Sequence, residues 1–181
     1  MTQWIALLRA INVGKRQVPM AELRKLGEDL GHGEVRTYLA SGNLLFTSSK
    51  KAEVIEKELE AAIAKRFGFP VEIILRTAAQ WAQHGATNPL PQPSTTEPNR
   101  VMMLTSKQPA AADAVARLQE RAAPNETIKQ GDGAIWIHFG DGAGTSKLTP
   151  SYIDKAVGSP STARNWRTVQ ALTAMTGGTG G

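Results

Sequence analysis

Apolar and polar positions along the chain switch between two periods. Trp4-Ile5-Ala6-Leu7-Leu8 is a short apolar run, and Gln3 to Arg9 reads as a strand. Ala10 to Val18, with Gly14, Lys15 and Arg16 at its centre, reads as a loop. Pro19 suits a first helical position, and Met20, Leu23, Leu26 and Leu30 then recur at helical spacing up to Gly31. Val35 to Tyr38 and Leu44 to Thr47 predict strands around Ala40-Ser41-Gly42-Asn43. A second helix runs from about Lys51 to Phe67, with Ile55, Leu59, Ala62, Ile63 and Phe67 as its apolar stripe and Gly68 as its stop. Val71 to Leu75 predicts a fourth strand. The order is β-α-β-β-α-β, the split βαβ or ferredoxin-like pattern, with both helices on one face of a four-stranded antiparallel sheet.

The pattern then breaks. A short helix around Ala78 to His84 precedes Asn88-Pro89-Leu90-Pro91-Gln92-Pro93-Ser94-Thr95-Thr96-Glu97-Pro98, where four prolines in eleven residues predict a loop or linker. Beyond it lie a strand at Arg100 to Leu104, a helix at about Pro109 to Ala122, and strands at Glu126 to Lys129 and Ala134 to Phe139. Asp132-Gly133 joins those strands as a hairpin signal. A loop from Gly140 to Lys147, a helix from Pro150 to about Val157 and a last helix from about Ala163 to Met175 follow. The fold class is therefore α+β: a ferredoxin-like subdomain at 1–77, a short helix and Pro-rich linker at 78–99, a smaller β-α-β-β-α-α subdomain at 100–175, and a Gly-rich tail at 176–181. The second half echoes the first without its last strand.

Composition removes much chemistry. The 181 residues contain no Cys, which excludes disulfides, thiolate metal sites and a cysteine nucleophile. Apolar residues and Gly together make about half the chain, as in globular proteins. No segment has the length of a signal core or of a membrane span, so a soluble cytoplasmic protein without membrane partners is expected. The three histidines, His32, His84 and His138, show no ligand spacing with one another or with carboxylates, and no metal or cofactor is expected.

The net charge of +5 is localised. Met1 to Ala21 holds three basic residues and no acid; Gly142 to Gly181 holds four basic residues and one acid. In the first window, Arg9, Asn12 and Lys15 follow the first strand, with Ser41 and Asn43 in the turn between the central strands. Leading into the second, Gly140-Asp141-Gly142-Ala143-Gly144-Thr145-Ser146-Lys147 lacks the Gly-Lys-Ser/Thr order of a Walker loop, yet Ser146, Lys147 and free backbone N–H groups suit an anion. Thr162 reads as a helix N-cap, which puts Arg164 and Asn165 in the first turn, close to Arg167. A cation there opposes the helix dipole unless an anion sits at that terminus. A solvated basic face and an Arg164–carboxylate pair are the structural alternatives.

These same residues carry a family resemblance. Leu7-Leu8-Arg9-Ala10-Ile11-Asn12-Val13-Gly14, Val18-Pro19-Met20-Ala21-Glu22-Leu23 and Val35-Arg36-Thr37-Tyr38-Leu39-Ala40-Ser41-Gly42-Asn43-Leu44-Leu45-Phe46 resemble the bacterial family called domain of unknown function 1697. So do Arg66-Phe67-Gly68-Phe69-Pro70-Val71, Leu75-Arg76-Thr77, Ser146-Lys147-Leu148 and Thr162-Ala163-Arg164-Asn165-Trp166-Arg167-Thr168-Val169. Two departures stand out: the family often has a second Gly where Lys15 stands and a Lys where Gln170 stands. The resemblance implies two α+β subdomains and no assigned reaction. Its motifs cluster in the two acid-poor windows and the Ser41-Gly42-Asn43 turn.

Two functional classes follow. The first is a binding protein for an anionic ligand, nucleic acid or nucleotide, held by Arg9, Asn12, Lys15, Ser41, Asn43, Ser146, Lys147, Arg164, Asn165 and Arg167. Against nucleic acid stands the need for exposed aromatics that stack on bases: the central strands offer Tyr38 and Phe46 but no run resembling an RNA-binding aromatic motif. The second is an enzyme on a small phosphate- or carboxylate-bearing substrate, with Lys147 as its proton-transfer candidate. A scaffold or oligomer subunit without ligand is the third alternative; the sequence leaves oligomeric state open.

Overall fold

Trp4 to Leu8 is almost wholly shielded from solvent on both faces, which makes it a central strand. The computed structural model describes residues 1–177. Contacts divide the chain into two units, Met1–Trp81 and Ala82–Gly181.

In the first unit the elements are β1 (Thr2–Leu8), α1 (Met20–Asp29), β2 (Gly33–Thr37), β3 (Asn43–Ser48), α2 (Ala52–Phe67) and β4 (Ile73–Thr77). The sheet order is β2-β3-β1-β4, and each pair is antiparallel. Trp4, Ala6 and Leu8 share one core with Leu23 and Leu26 of α1 and Ile55, Leu59 and Ile63 of α2. Alternation along β1 therefore turns Ile5 and Leu7 to the opposite face. α2 stops at Gly68, whose φ of 83° lets the chain reverse while its N–H bonds Ala64 O. β2 is an edge strand; its register with β3 shifts between Gly33 and Arg36, where Glu34 takes a φ of 48°. Such a bulge with outward charges discourages edge-to-edge pairing.

The helix α3 (Ala78–Ala86) follows β4, and the boundary between units falls within it. Residues 91–96 differ from expectation: Pro91–Thr96 is a short helix, α4, not a loop. Proline is tolerated in a first turn, and Asn88 braces the start by accepting from Leu90 N (2.8 Å) and donating to Ser94 Oγ (2.7 Å).

The second unit continues with β5 (Val101–Ser106), α5 (Ala114–Arg121), β6 (Glu126–Gln130), β7 (Ile135–Phe139), a 3-10 turn at Ala143–Thr145, α6 (Pro150–Val157), β8 (Ser161–Asn165) and α7 (Trp166–Met175). Its sheet order, β6-β7-β5-β8, repeats that of the first unit, and all three pairs are antiparallel. Leu104, Leu118, Ile128, Ile135, Ile137 and Ile153 lie in its core. The expected β-α-β-β-α-α order is thus corrected: residues 161–165 are a strand, and the last helix begins at Trp166. The physical reason is β5, whose second edge needs a partner. Met102 to Ser106 pair with Asn165 to Ser161, and Asp154 of α6 fixes the entry by accepting from Ser161 N (3.0 Å) and Oγ (2.7 Å).

The Gly-rich tail begins later than its composition predicts. Thr176 is buried and closes α7, its hydroxyl bonding Leu172 O at 3.1 Å; residues 178–181 lie outside the described residues. Among the described residues, no helix is long and apolar enough to cross a membrane.

His32 sits behind the end of α1, 7% exposed and stacked on Phe46 at 4.4 Å between centroids. Among the described residues, neither ring nitrogen has a hydrogen-bond partner. Burial, with Lys50 adding and Glu58 opposing, holds this imidazole below its ordinary value of 6.5. The native state therefore keeps His32 neutral where the unfolded chain takes up a proton. Its contribution to stability is complete above about pH 6.5 and is lost as pH falls below that value. The urea midpoint of the wild type should drop between about pH 7.5 and about pH 5.5 by more than that of His32→Phe, which keeps a ring but cannot titrate. Equal drops in the two proteins would refute this role for His32.

Candidate functional site

The ten candidate residues divide five and five between the units. Arg9, Asn12, Lys15, Ser41 and Asn43 belong to the first; Ser146, Lys147, Arg164, Asn165 and Arg167 belong to the second.

In the first unit the site is a pair of loops at one end of the sheet. Sheet pairing carries the chain to its rim: Leu8 N bonds Gly42 O (2.9 Å) and Arg9 N bonds Glu72 O (3.1 Å). Residues 10–18 then fold back through left-handed backbone at Ala10 (φ 52°), Asn12 (φ 55°) and Gly14 (φ 57°). Asn12 fixes this loop. Its Oδ1 accepts from Val18 N at 2.8 Å, its Nδ2 donates to Val18 O at 3.1 Å and Ala40 O at 2.6 Å, and its N–H donates to Arg16 O at 2.7 Å. One side chain thus closes its own loop and ties it to the β2–β3 turn.

The turn is equally constrained. Gly42 has a φ of 90°, and a Cβ there would stand 2.5 Å from Ile11 Cδ1 and 2.9 Å from Leu8 Cβ. Only glycine lets the turn press against the first loop. Asn43 is fully buried; its Nδ2 donates to Tyr38 O (2.7 Å) and Ser41 Oγ (3.2 Å). Leu39, at the corner, takes a φ of 58°.

The cations here differ in what they do. Arg16 is a strut: Nε donates to Ala10 O and Nη2 to Pro70 O, both at 2.8 Å, and its guanidinium lies 4.7 Å from the centre of the Phe69 ring. Arg9 lines a cleft of about 290 Å³ with Arg16, Glu60 and Glu72, so two guanidiniums share that space with two carboxylates. Lys15 is exposed at the loop tip and makes no ion pair among the described residues.

In the second unit, Ser146 Oγ accepts from Leu148 N (3.0 Å) and shapes the turn into α6, leaving Lys147 exposed beside it. Thr162 is not a helix cap. Asn165 fills that place, its Oδ1 accepting from Thr168 N at 3.0 Å, and Arg164 lies one residue earlier in β8, opposite Met103. The conflict between Arg164 and a helix dipole therefore does not arise, and the anion inferred from it loses its support. Arg164 is 6% exposed; its Nη1 donates to Thr162 Oγ1 (2.8 Å) and Ala163 O (3.0 Å). Burial pushes its guanidinium down to about 10, which still leaves it charged at neutral pH. Arg167 is exposed in the first turn of α7.

Sequence reasoning missed three features. Arg76-Thr77 before α3 matches Arg164-Asn165 before α7. Each arginine donates to the carbonyl of its preceding residue (Arg76 to Leu75 O, 2.9 Å), and each following residue caps a helix. Thr77 Oγ1 accepts from Gln80 N (3.1 Å) while Gln80 Oε1 accepts from Thr77 N (2.9 Å), a reciprocal capping box. The signal was two Arg-polar pairs, each followed by a Trp within its helix. Second, Glu97 bridges His138 Nε2 (2.7 Å) and Arg100 Nη1 (3.1 Å), a contact across 41 positions that spacing cannot show. Third, Leu39 has no sequence signal for left-handed backbone. Among the described residues, no group of three His, Asp or Glu side chains is placed to hold a metal.

Asn12 is the residue on which the loop pair turns. Asn12→Ala removes its side-chain hydrogen bonds and places alanine in left-handed backbone, so it should cost about 2–3 kcal/mol in urea unfolding. Asn12→Gly accepts the backbone and should cost less. Equal losses in the two variants would show that backbone conformation contributes nothing.

Comparison with known proteins agrees with this architecture. A family model described as "Protein of unknown function (DUF1697)" matches residues 1–136. No curated protein matches the chain. A solved structure, the conserved bacterial protein SP0830 from Streptococcus pneumoniae, is similar at 27% identity with a TM-score of 0.76, over 97% of this chain and 98% of that one. The likeness spans both units, and the family match covers the latched loop pair of the first, so the chain belongs to the DUF1697 family.

Proposed function

We propose that this protein binds an anionic partner through the loop pair at the rim of its ferredoxin-like first unit, and that it does so in the cytoplasm. The observation that carries the reading is Lys15, an exposed cation without an ion pair among the described residues, on a loop that Asn12 holds in one conformation. No acid lies between Met1 and Ala21 to neutralise it. A pre-formed loop loses little freedom on binding, and its positive field favours an anion. The polar candidates narrow accordingly. Asn12 and Asn43 support the loops from within, Ser41 lies exposed on the turn, and Arg9 borders the mixed-charge cleft.

Nucleic acid, nucleotide and acidic polypeptide are the anionic classes to compare. Fluorescein-labelled oligothymidylate and poly-glutamate should be titrated by anisotropy from about 20 mM to about 300 mM salt. At least one is expected to bind at low salt and to weaken steeply as salt rises. Lys15→Ala should reduce the logarithmic salt slope by about 1. Absence of binding by both probes at the lowest salt would overturn the reading.

A further inference from the structure

We infer that the loop pair docks a protein segment that carries acidic residues around an apolar anchor. This rests on the anionic-partner reading above and narrows it to a polypeptide. Among the described residues, the large apolar side chains left exposed are Met1, Val13, Leu39 and Val54. Val13, 56% exposed, and Leu39, 53% exposed, lie on the two loops that Asn12 joins. Val13 directly follows Asn12 and Leu39 directly precedes Ala40, so the two exposed residues adjoin in sequence the two ends of the 2.6 Å hydrogen bond that joins the loops.

Leu39 is doubly unfavourable in the free protein. Its φ of 58° is a conformation that glycine or asparagine adopts at lower cost, and its side chain is half in water. A strained backbone that presents an exposed apolar group points to a partner that covers the group. Val13 stands between two left-handed residues, Asn12 (φ 55°) and Gly14 (φ 57°), which turn the chain on either side of it. Lys15 adds a cation two residues on, and the acid-free window around it complements an acidic segment.

The apolar tips are aliphatic, and this separates a polypeptide from a nucleic acid. Single-stranded nucleic acids are held by stacking on exposed aromatic rings. Of the two aromatic residues of the central strands, Phe46 is 3% exposed and stacked on His32, and Tyr38 is half-buried, so neither ring stands open as Val13 and Leu39 do. Val13 and Leu39 offer instead an apolar contact of the size of one or two peptide side chains, on loops already ordered.

The test selects a displayed library of random peptides on the full chain. Enriched peptides and oligothymidylate are then measured by anisotropy against wild type, Leu39→Gly and Val13→Ser. Leu39→Gly suits the left-handed backbone, so its Tm should stay level or rise. A marked fall in Tm would assign Leu39 a structural role and overturn the inference. Enriched peptides should combine Asp or Glu with a large apolar residue, and Leu39→Gly should weaken them about tenfold or more, with Val13→Ser weakening them as well. Enrichment without acidic or apolar residues, or affinity unchanged in Leu39→Gly, overturns the inference. Oligothymidylate bound alike by wild type and Leu39→Gly, with no peptide enriched, leaves the anionic-partner reading standing and removes the docking site. Binding by none of the probes removes both. Concentration-dependent self-association that Leu39→Gly abolishes would assign the patch to a second copy of the chain, and also overturns the inference.

Discussion

β1 and β5 are buried along most of their length, so their backbone N–H and C=O groups must find partners inside the sheet. β1 meets this between β3 and β4, and β5 between β7 and β8. Everything else in each unit is arranged around that requirement. The crossover helices return the chain so that the last strand reaches the open edge, and the two sheets arrive at the same order. Residues 161–165 are a strand because β5 would otherwise keep unpaired backbone groups on a buried edge. Their own side chains, Ser-Thr-Ala-Arg-Asn, are compatible with a helix start, which is how the local pattern reads.

The same requirement reassigns most of the polar residues that looked like ligand contacts. Asn12, Asn43, Ser146 and Asn165 each satisfy backbone groups at the points where the chain leaves a strand or enters a helix. Arg164 does so at the end of β8, as Arg76 does at the end of β4. Burial lowers the pKa of both guanidiniums, with Glu56 opposing the shift at Arg76. The recurrence of Arg, then a cap, then a helix at both junctions shows that the two units solve one connection problem in one way. The family motifs in these stretches therefore have architectural tasks before any functional one.

At the rim of the first unit the balance changes. The loop pair uses left-handed backbone at Ala10, Asn12 and Leu39, a conformation that asparagine tolerates and alanine and leucine disfavour. Asn12 and Gly42 hold the two loops together: one supplies hydrogen bonds, the other the lack of a Cβ. This stored strain leaves Lys15, Val13 and Leu39 outward. Rigid presentation of a cation and aliphatic tips suits recognition of a partner. Arg9 shares its cleft with Glu60 and Glu72 and contributes less to that outward surface.

The periodicity of the first 77 residues, with Pro19 and Gly68 as punctuation, determined the element order of the first unit, and Asp132-Gly133 determined the hairpin of the second. These signals are local: an apolar stripe or a turn residue acts on its immediate neighbours. The family likeness was also legible, because its motifs are contiguous. The strand at 161–165, the helix at 91–96, the Glu97–His138 contact and the left-handed Leu39 were decided by tertiary structure. In each case a distant group settled the matter or local propensity was overridden: the open edge of β5, the side chain of Glu97 brought to β7, and a turn drawn against Ile11 and Leu8. The sequence by itself located the basic windows. Only the fold decided which of their residues brace the backbone and which face outward, because that depends on which backbone groups burial leaves in need of a partner.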